Sequence, residues 1–255
     1  MSGRRLAVAA LLMMAGLFLA SPSMAQDRWH WPDKADSLKV LPKDTSAEQL
    51  RDVMHGFTRA LGVRCNYCHV GEEGKPLSTY DFASDKNLNK DVAREMMRMM
   101  GDIHAHLKKI DIGGPPVNVT CYTCHRGRTL PRTLSDELTE SFRKKGLDGA
   151  LSTYDQLHKD YYGRGAYDFD SEEALNVLGY QVLQKGDTAG AIKVFTMNAE
   201  KFPQSGNVWD SLAEAYMKSG DMKSAEKYYE KSLKLEPRNQ NAAKMLEKIR
   251  GGGAN

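Results

Sequence analysis

The chain has 255 residues, with 36 basic and 33 acidic side chains, and a formal net charge of +3 at pH 7. A predicted signal peptide holds two of the basic residues and none of the acidic ones, so the remaining chain has a net charge of +1. This near-neutral charge disfavours nucleic acid or an anionic membrane surface as a partner. The length predicts two small domains, or one domain with an appendage.

Residues 1–25 are predicted to be a cleaved signal peptide. A basic start is followed by an apolar run from Leu6 to Ala20 and by a small-x-small site, Ser23-Met24-Ala25. The run of about fifteen residues is shorter than the roughly 20 that a membrane span needs, although an uncleaved anchor is the alternative. We therefore expect a mature protein that begins at Gln26 and resides in the periplasm.

The first predicted helix begins at a capping box. In Thr45-Ser46-Ala47-Glu48, a hydroxyl and a carboxylate stand three residues apart and can satisfy free backbone N–H groups of the first turn. Gly62 suits the left-handed residue that ends such a helix. One face of the helix carries apolar side chains at helical spacing, namely Leu50, Met54, Phe57 and Leu61.

Two pentapeptides of the pattern C-x-x-C-H contain all four cysteines of the chain: Cys65-Asn66-Tyr67-Cys68-His69 and Cys121-Tyr122-Thr123-Cys124-His125. This pattern is the attachment signature of a c-type haem. Two thiols form thioethers to one porphyrin, and the histidine supplies the proximal iron ligand. We therefore predict two covalent haem c groups, attached through Cys65, Cys68, Cys121 and Cys124 and ligated by His69 and His125. The alternatives are a four-thiolate zinc site and two redox dithiols, but neither explains why a histidine follows each pair.

A second helix is predicted over about 86–109, before the break at Gly113-Gly114-Pro115-Pro116. Its apolar face carries Val92, Met96, Met99, Ile103 and Leu107. A thioether as sixth iron ligand raises the haem potential relative to a second imidazole. Met54 and Met99, each on a helix that precedes a haem motif, are the candidates. Methionine stripes are commonly core filler, and the spacing leaves other ligands open, namely Met96, Met100, His55, His104 and His106.

Residues from about 39 to 132 resemble the cytochrome c subunit of photosynthetic reaction centres. The resemblance is carried by Val40-Leu41, by Met54 before the first motif, by Ala93-Arg94-Glu95-Met96-Met97-Arg98-Met99 with Ile103, and by Val119-Thr120, the second motif, Arg126-Gly127 and Pro131. In that family each haem lies beside a methionine-donating helix that precedes the attachment motif. The resemblance therefore implies Met54 for the first haem and Met99 for the second. The family's subunit binds four haems, and this chain is similar to one two-haem half of it.

The C-terminal part repeats with a period of 34 residues. Leu178-Gly179, Ala191, Phe195 and Pro203 recur as Leu212-Ala213, Ala225, Tyr229 and Pro237. This period and these residue types resemble the tetratricopeptide repeat. Two repeats are fewer than the three that stability normally requires, so we expect the array to pack on the connector over 133–170. There Ala150 and Tyr154 are interpreted as the second helix of an incomplete unit, and Asn241 to Arg250 as a closing helix.

Together these patterns predict an all-α protein. A small two-haem c-type cytochrome domain (26–132), built from helix-plus-motif units, is followed by a helical connector (133–170) and a short tetratricopeptide-like α-solenoid (171–250). Arg126 and Arg128, beside the second motif, are interpreted either as partners of haem propionates or as solvated loop charges.

The predicted function is periplasmic electron transfer, so we expect a carrier rather than an enzyme. Expected partners are periplasmic redox proteins or a membrane electron-transfer complex, with a peptide or protein in the groove of the repeats and no nucleic acid. Two alternatives stay open. The first is a two-haem peroxidase-like enzyme, which needs one haem iron with a free coordination position. The second is a haem redox sensor or adaptor, in which the repeats bind the partner protein.

Overall fold

The computed structural model describes residues 29–35, 37–110, 113–115 and 117–252. The predicted signal peptide therefore lies outside the described residues. Within these ranges the regular secondary structure is helical, apart from one isolated antiparallel bridge between Val70 and Asp81. This confirms the predicted all-α class.

Helix α1 spans Ala47–Leu61 and ends at Gly62, whose left-handed φ of 67° confirms the predicted stop. The predicted capping box is wrong by one residue. Ser46 is the N-cap, and its side chain and that of Gln49 each accept a hydrogen bond from the other's backbone N–H. Thr45 lies in the turn before the helix, where its backbone N–H and its hydroxyl both donate to the Pro42 carbonyl, at 3.1 Å and 2.7 Å.

Helix α2 spans Leu88–Leu107, within two residues of the predicted bounds. Two short 3-10 turns precede it, Cys65–Tyr67 in the first haem motif and Leu77–Thr79 in the following loop. The second haem motif is itself the short helix α3, Cys121–His125.

Helix α4, Leu134–Tyr161, is a hairpin of two helices that meet at Gly146, where φ is 70° and ψ is −169°. The Ser141 and Thr153 side-chain oxygens lie 2.8 Å apart. In one straight helix, residues twelve apart would be separated by about 18 Å. The two halves therefore fold back on each other.

Five more helices follow: α5 Glu173–Gln184, α6 Thr188–Lys201, α7 Gly206–Ser219, α8 Met222–Leu235 and α9 Gln240–Arg250. The bounds of α8 are those of α6 displaced by 34 residues, which confirms the repeat, and α9 is the predicted closing helix. A small residue is required where paired helices approach. A Cβ on Gly179 would lie 2.4 Å from the Phe195 ring.

One hydrophobic core joins α4 to α5, α6 and α7. Its buried members include Leu134, Leu138, Ala150, Tyr154, Leu175, Leu178, Val194, Phe195, Trp209 and Leu212. The expectation that the repeats pack on the connector is confirmed, because α4 supplies a third helical hairpin to the stack. Three stacked units are what such arrays normally need to bury a continuous core.

Candidate haem sites

The two haem motifs are joined by a close backbone contact. The Gly127 N–H donates to the Ala60 carbonyl at 2.8 Å. A Cβ on Gly62 would lie 2.2 Å from the Gly127 carbonyl oxygen, so this approach requires glycine. Cys65 begins three residues after Gly62, and Gly127 lies two residues after His125. The contact therefore places the start of one motif beside the end of the other.

The first motif opens onto a cavity of about 370 Å³, within the range of small-molecule and cofactor pockets. Met54, Cys65, Cys68 and His69 all line it, so the structure brings together the four residues predicted for the first haem. The remaining lining is largely apolar, including Trp29, Trp31, Leu38, Leu50, Phe57, Phe82 and Met97.

Aromatic side chains from the segment before α1 cover part of this cavity. The Trp29 ring packs on Phe82 at 4.7 Å between centroids, and Phe82 contacts the His69 ring at 4.9 Å. Trp31 packs edge-on against His55 at 5.7 Å. This role of the segment is not predicted from the sequence, although two tryptophans in a charged stretch are a signal for a binding role.

The cavity lining carries an excess of positive charge. Five cations line it, and its described residues include no acidic side chain; the cations are Lys34, Lys39, Arg64, Lys90 and Arg94. Asp85 lies behind three of them, with carboxylate oxygens 2.5 Å from Lys39, 3.3 Å from Lys90 and 2.6 Å from Arg94. The Arg94 and Lys39 hydrogen bonds hold the pKa of Asp85 well below its usual range. Asp91 also pairs with Arg94 at 2.6 Å, and Glu73 pairs with Arg64 at 3.7 Å. Three carboxylates thus face five cations, and this positive excess fits a group that carries propionates.

The imidazole and thiols at this cavity fit a covalently attached haem. Burial, followed by the charge on Lys90, lowers the pKa of His69, while the Phe82 carbonyl acts in the opposite direction. The buried Nδ1 of His69 has no hydrogen-bond partner. Histidine binds metals in this neutral form. Burial raises the pKa of the Cys68 thiol, whereas redox-active dithiols have a lowered pKa, so the structure does not favour the dithiol alternative.

Helix α2 presents methionines on opposite sides. Met97 lines the first cavity, while Met99, two residues further, is 45% exposed. Two positions along an α-helix turn a side chain by about 200°, so the two residues cannot face the same site. Met97 is not among the ligands predicted from the sequence. The first cavity therefore holds three side chains able to supply a sixth ligand, Met54, Met97 and His55.

At the second motif, the His125 ring is oriented by a backbone carbonyl. Its Nδ1 lies 2.9 Å from the Arg128 oxygen. The donated proton fixes the tautomer and leaves Nε2 as the metal-binding atom. Cys121 is half-buried and Cys124 is exposed. The residues present therefore fit a second haem, on the side where both thiols and Nε2 are available.

At the second motif, the side chains predicted as sixth ligands do not line a closed cavity. His104 donates from Nε2 to the Val119 carbonyl at 2.6 Å, so it ties the end of α2 to the second motif rather than facing an iron. The predicted apolar face of α2 is exposed to solvent at Val92, which is 57% exposed, as well as at Met99. Met96 and Met100 are half-buried. Tyr122, within the motif, and Leu130, after it, are exposed too.

The two arginines after the second motif have different environments. Arg126 is exposed and takes a left-handed φ of 50° as the C-cap of α3. Arg128 is 8% exposed and packs on Tyr167, so the interpretation of Arg128 as a solvated loop charge is wrong. Its burial results from a contact with the connector, which local sequence does not reveal.

Two further structural findings bear on the alternatives. In the part of the chain that the structure describes, no three His, Cys, Asp or Glu side chains converge into a metal-binding group, so the two cysteine pairs do not form one zinc site there. Among the described helices, none combines the length and the hydropathy of a membrane span.

The geometry above agrees with a known family. The sequence model described as "Photosynthetic reaction centre cytochrome C subunit" matches residues 20–160, more than half of the chain. The chain belongs to this family. The family match confirms the resemblance over 39–132 and extends it through the α4 hairpin.

Curated relatives show how much of the family's subunit this chain covers. It is 26% identical to the photosynthetic reaction center cytochrome c subunit of Rubrivivax gelatinosus, over 51% of this chain and 34% of that protein. It is 32% identical to the subunit of Thermochromatium tepidum, over 35% of this chain and 20% of that protein. The chain thus spans about a third or less of these relatives.

The C-terminal array matches a second family. The tetratricopeptide repeat model matches residues 206–239, the unit formed by α7 and α8, which confirms the predicted repeats. Solved structures similar to the chain include the first repeat domain of Spaghetti (RPAP3) bound to an HSP90 peptide, at 19% identity, 48% coverage of this chain, 91% coverage of that chain and a TM-score of 0.36. Another is PcrH from Pseudomonas aeruginosa, at 17% identity, 46% and 89% coverage and a TM-score of 0.35.

Proposed function

We propose that this family member is a two-haem c-type cytochrome that carries electrons. The observation that supports this best is the first cavity, where two thiols, a neutral imidazole and a thioether share one apolar space with a cationic lining. That combination matches what attachment, iron ligation and propionate pairing each require. The second motif offers the same thiols and an imidazole whose Nε2 is free for iron.

A haem bound in such a site would supply an iron that accepts and releases one electron reversibly. In the proposed assignment His69 and His125 are proximal ligands, and Met54 and Met99 are sixth ligands. The chain's own contribution is to fix these side chains and to exclude water. Trp29 and Phe82 cover the first cavity, and its cations stabilise negative charge at its edge.

Electron transfer between the two haems follows from the contact between their motifs. The Gly127 N–H bond to Ala60, together with the close approach of Gly62, holds the two attachment segments side by side. The same contact keeps their separation fixed, because backbone atoms rather than long side chains form it.

The domain organisation and location are part of the proposal. Residues 1–25 direct export to the periplasm, 26–132 bind both haems, 133–170 connect, and 171–250 form a docking surface. The partners are a periplasmic redox protein or a membrane electron-transfer complex, with a peptide or protein segment in the groove of the repeats. The named relatives are reaction centre subunits, and a membrane complex is the partner class that their names support.

Haem stoichiometry tests the proposal. In full-length protein made with a c-type maturation system, intact mass and a haem assay should give two covalent haems for each chain. The oxidised optical spectrum should show the weak long-wavelength band of methionine-ligated iron. A protein that matures without haem, or that holds zinc, contradicts the proposal.

A two-haem peroxidase-like enzyme is the second candidate, and the exposure of Met99 favours it. An iron whose sixth ligand is easily displaced can bind peroxide. Carbon monoxide or cyanide added to the holoprotein separates the two functions. Resistance of both haems to these ligands supports the carrier, whereas ready binding at the second haem, with peroxide turnover, supports the enzyme.

The first sixth ligand can be assigned by comparing two methionine variants. If Met54 is the ligand, Met54→Ala should lower the potential of the first haem by on the order of 100 mV, since axial ligands set haem potentials over about 0.8 V. Met97→Leu, which keeps the cavity filled, should change it little. The measurement is an optical redox titration of each holoprotein. The reverse pattern, with a large effect of Met97→Leu alone, would assign the ligand to Met97.

A further inference from the structure

Arg128 links the second haem motif to the connector: its backbone contacts the motif and its side chain contacts the connector. Its backbone is bound to the proximal histidine of the second motif: the Arg128 N–H donates to the His125 carbonyl at 2.9 Å, and the Arg128 carbonyl accepts from His125 Nδ1 at 2.9 Å. Two left-handed residues between them, Arg126 at φ 50° and Gly127 at φ 82°, turn the chain back to make this possible. The position of this carbonyl therefore follows the position of Arg128.

The Arg128 side chain is held by two residues of the connector. Its guanidinium carbon lies 4.0 Å from the centroid of the Tyr167 ring, and its Nη1 lies 3.9 Å from Glu137 Oε1. The Tyr167 hydroxyl donates to the same Glu137 oxygen at 3.2 Å. Glu137 lies in the first turn of α4, whose buried neighbours Leu134 and Leu138 belong to the core of the array.

This contact depends on the tyrosine ring. Arg128 is almost fully buried, yet its Nε and Nη1 make no hydrogen bond. Glu137 stands at ion-pair distance and not at hydrogen-bond distance from Nη1. The guanidinium lies over the Tyr167 ring, and a desolvated cation on an aromatic face is a favourable arrangement.

We propose that Arg128 is a positioning residue that couples the helical array to the electron affinity of the second haem. A carbonyl that accepts from Nδ1 makes the imidazole a stronger donor to the metal, and such outer partners tune metal sites. A stronger donor stabilises ferric over ferrous iron. Loosening Arg128 should weaken this hydrogen bond and raise the second haem's potential. The inference rests on the proposed function, since it requires a haem at His125.

The first motif has no such tie to the connector. Nδ1 of His69 makes no hydrogen bond of normal geometry, and the carbonyl that acts on this ring belongs to Phe82, in the loop before α2. Glu72, three residues after His69, uses its carbonyl to accept from the Tyr80 hydroxyl at 2.9 Å. The coupling should therefore act on the second haem alone, and the first haem provides an internal control in every measurement.

The test is a redox titration of full-length holoprotein with Tyr167→Leu, which removes the ring, and Tyr167→Phe, which keeps the ring and removes the hydroxyl. Tyr167→Leu should shift the second haem's one-electron equilibrium by about tenfold toward the reduced form, or 59 mV. Tyr167→Phe should shift it by less than about twofold. The first haem, assigned through Met54→Ala, should not move in either variant.

The outcomes separate the inference from the function on which it rests. Two haems with an unshifted second potential in Tyr167→Leu would overturn the coupling and leave the electron carrier intact. Fewer than two haems in the unaltered protein would remove the proposed function itself. A purely structural role predicts lower thermal stability with no change in the potential.

If Tyr167→Leu does not fold, Arg128→Lys gives the same information. It keeps the charge and the apolar stem but loses the planar group that stacks on the ring. The expected shift has the same sign as that of Tyr167→Leu. An unchanged second potential in this variant overturns the inference as well.

Discussion

Gly62→Ala should destabilise the cytochrome domain by about 2–5 kcal/mol, the sum of a left-handed backbone penalty and overpacking. Gly62 has a φ of 67°, and its new Cβ would lie 2.2 Å from the Gly127 carbonyl oxygen. Neither atom can move without displacing a haem motif, because Cys65 and His125 follow and precede these glycines closely. The measurement is denaturant unfolding of the holoprotein, followed at the haem absorbance.

Gly56→Ala is the matched control for this change. Gly56 lies within the same helix, and a Cβ there meets nothing within 4 Å. Removing a glycine from a helix interior should stabilise the protein by roughly 0.5–1 kcal/mol. Gly62→Asn separates the two causes, since asparagine tolerates the left-handed region but keeps the clash. A stable Gly62→Ala holoprotein would contradict the contact between the motifs.

His125→Ala should abolish the second low-spin haem centre and leave the first intact. The substitution removes the imidazole whose Nε2 is free for iron, while the thiols of Cys121 and Cys124 remain. We expect the optical and paramagnetic resonance spectra of the second haem to become high-spin or to disappear. If the site without its histidine does not attach haem, the measured number of haems should fall toward one for each chain.

His106→Ala is the control for His125→Ala, because His106 is an exposed histidine near the end of α2. It should leave two haems and both spectra unchanged. An unaltered second haem in His125→Ala would remove His125 from the ligand set and with it the coupling through Arg128. A change confined to the second haem in both variants would assign its sixth ligand to His106, whereas loss of both haems would indicate a general maturation defect.

Local chemistry made much of the fold predictable. The spacing of Leu50, Met54 and Phe57 predicts α1, and Gly62 predicts its end, because both depend on residues within a few turns. The 34-residue period likewise predicts α5 to α9. The capping box was misplaced by one residue because Thr45 and Ser46 are both good caps, and the local sequence does not show which of the two begins the helix.

The parts of the sites that escaped prediction depend on contacts distant in sequence. A helical period identifies an apolar face of α2 but does not say which neighbour that face meets. Met97 was therefore missed, and the predicted face around Met99 is exposed. The burial of Arg128 depends on Tyr167, which lies 39 residues further along the chain. No pattern within one element contains that pairing.

The α4 hairpin has a consequence for anyone who divides this protein. Its Leu138 and Ala150 are fully enclosed by the repeats, while the family match to cytochrome subunits runs through the same hairpin. A cut at residue 170 would expose apolar core surface on each fragment, and both fragments would be prone to aggregate. A cut between Leu130 and Thr133 keeps the apolar face of α4 packed on the repeats. It does separate Arg128 from Tyr167, and the contact between their side chains is lost. Fragments prepared for spectroscopy should therefore end there, with the complete array expressed as a separate piece.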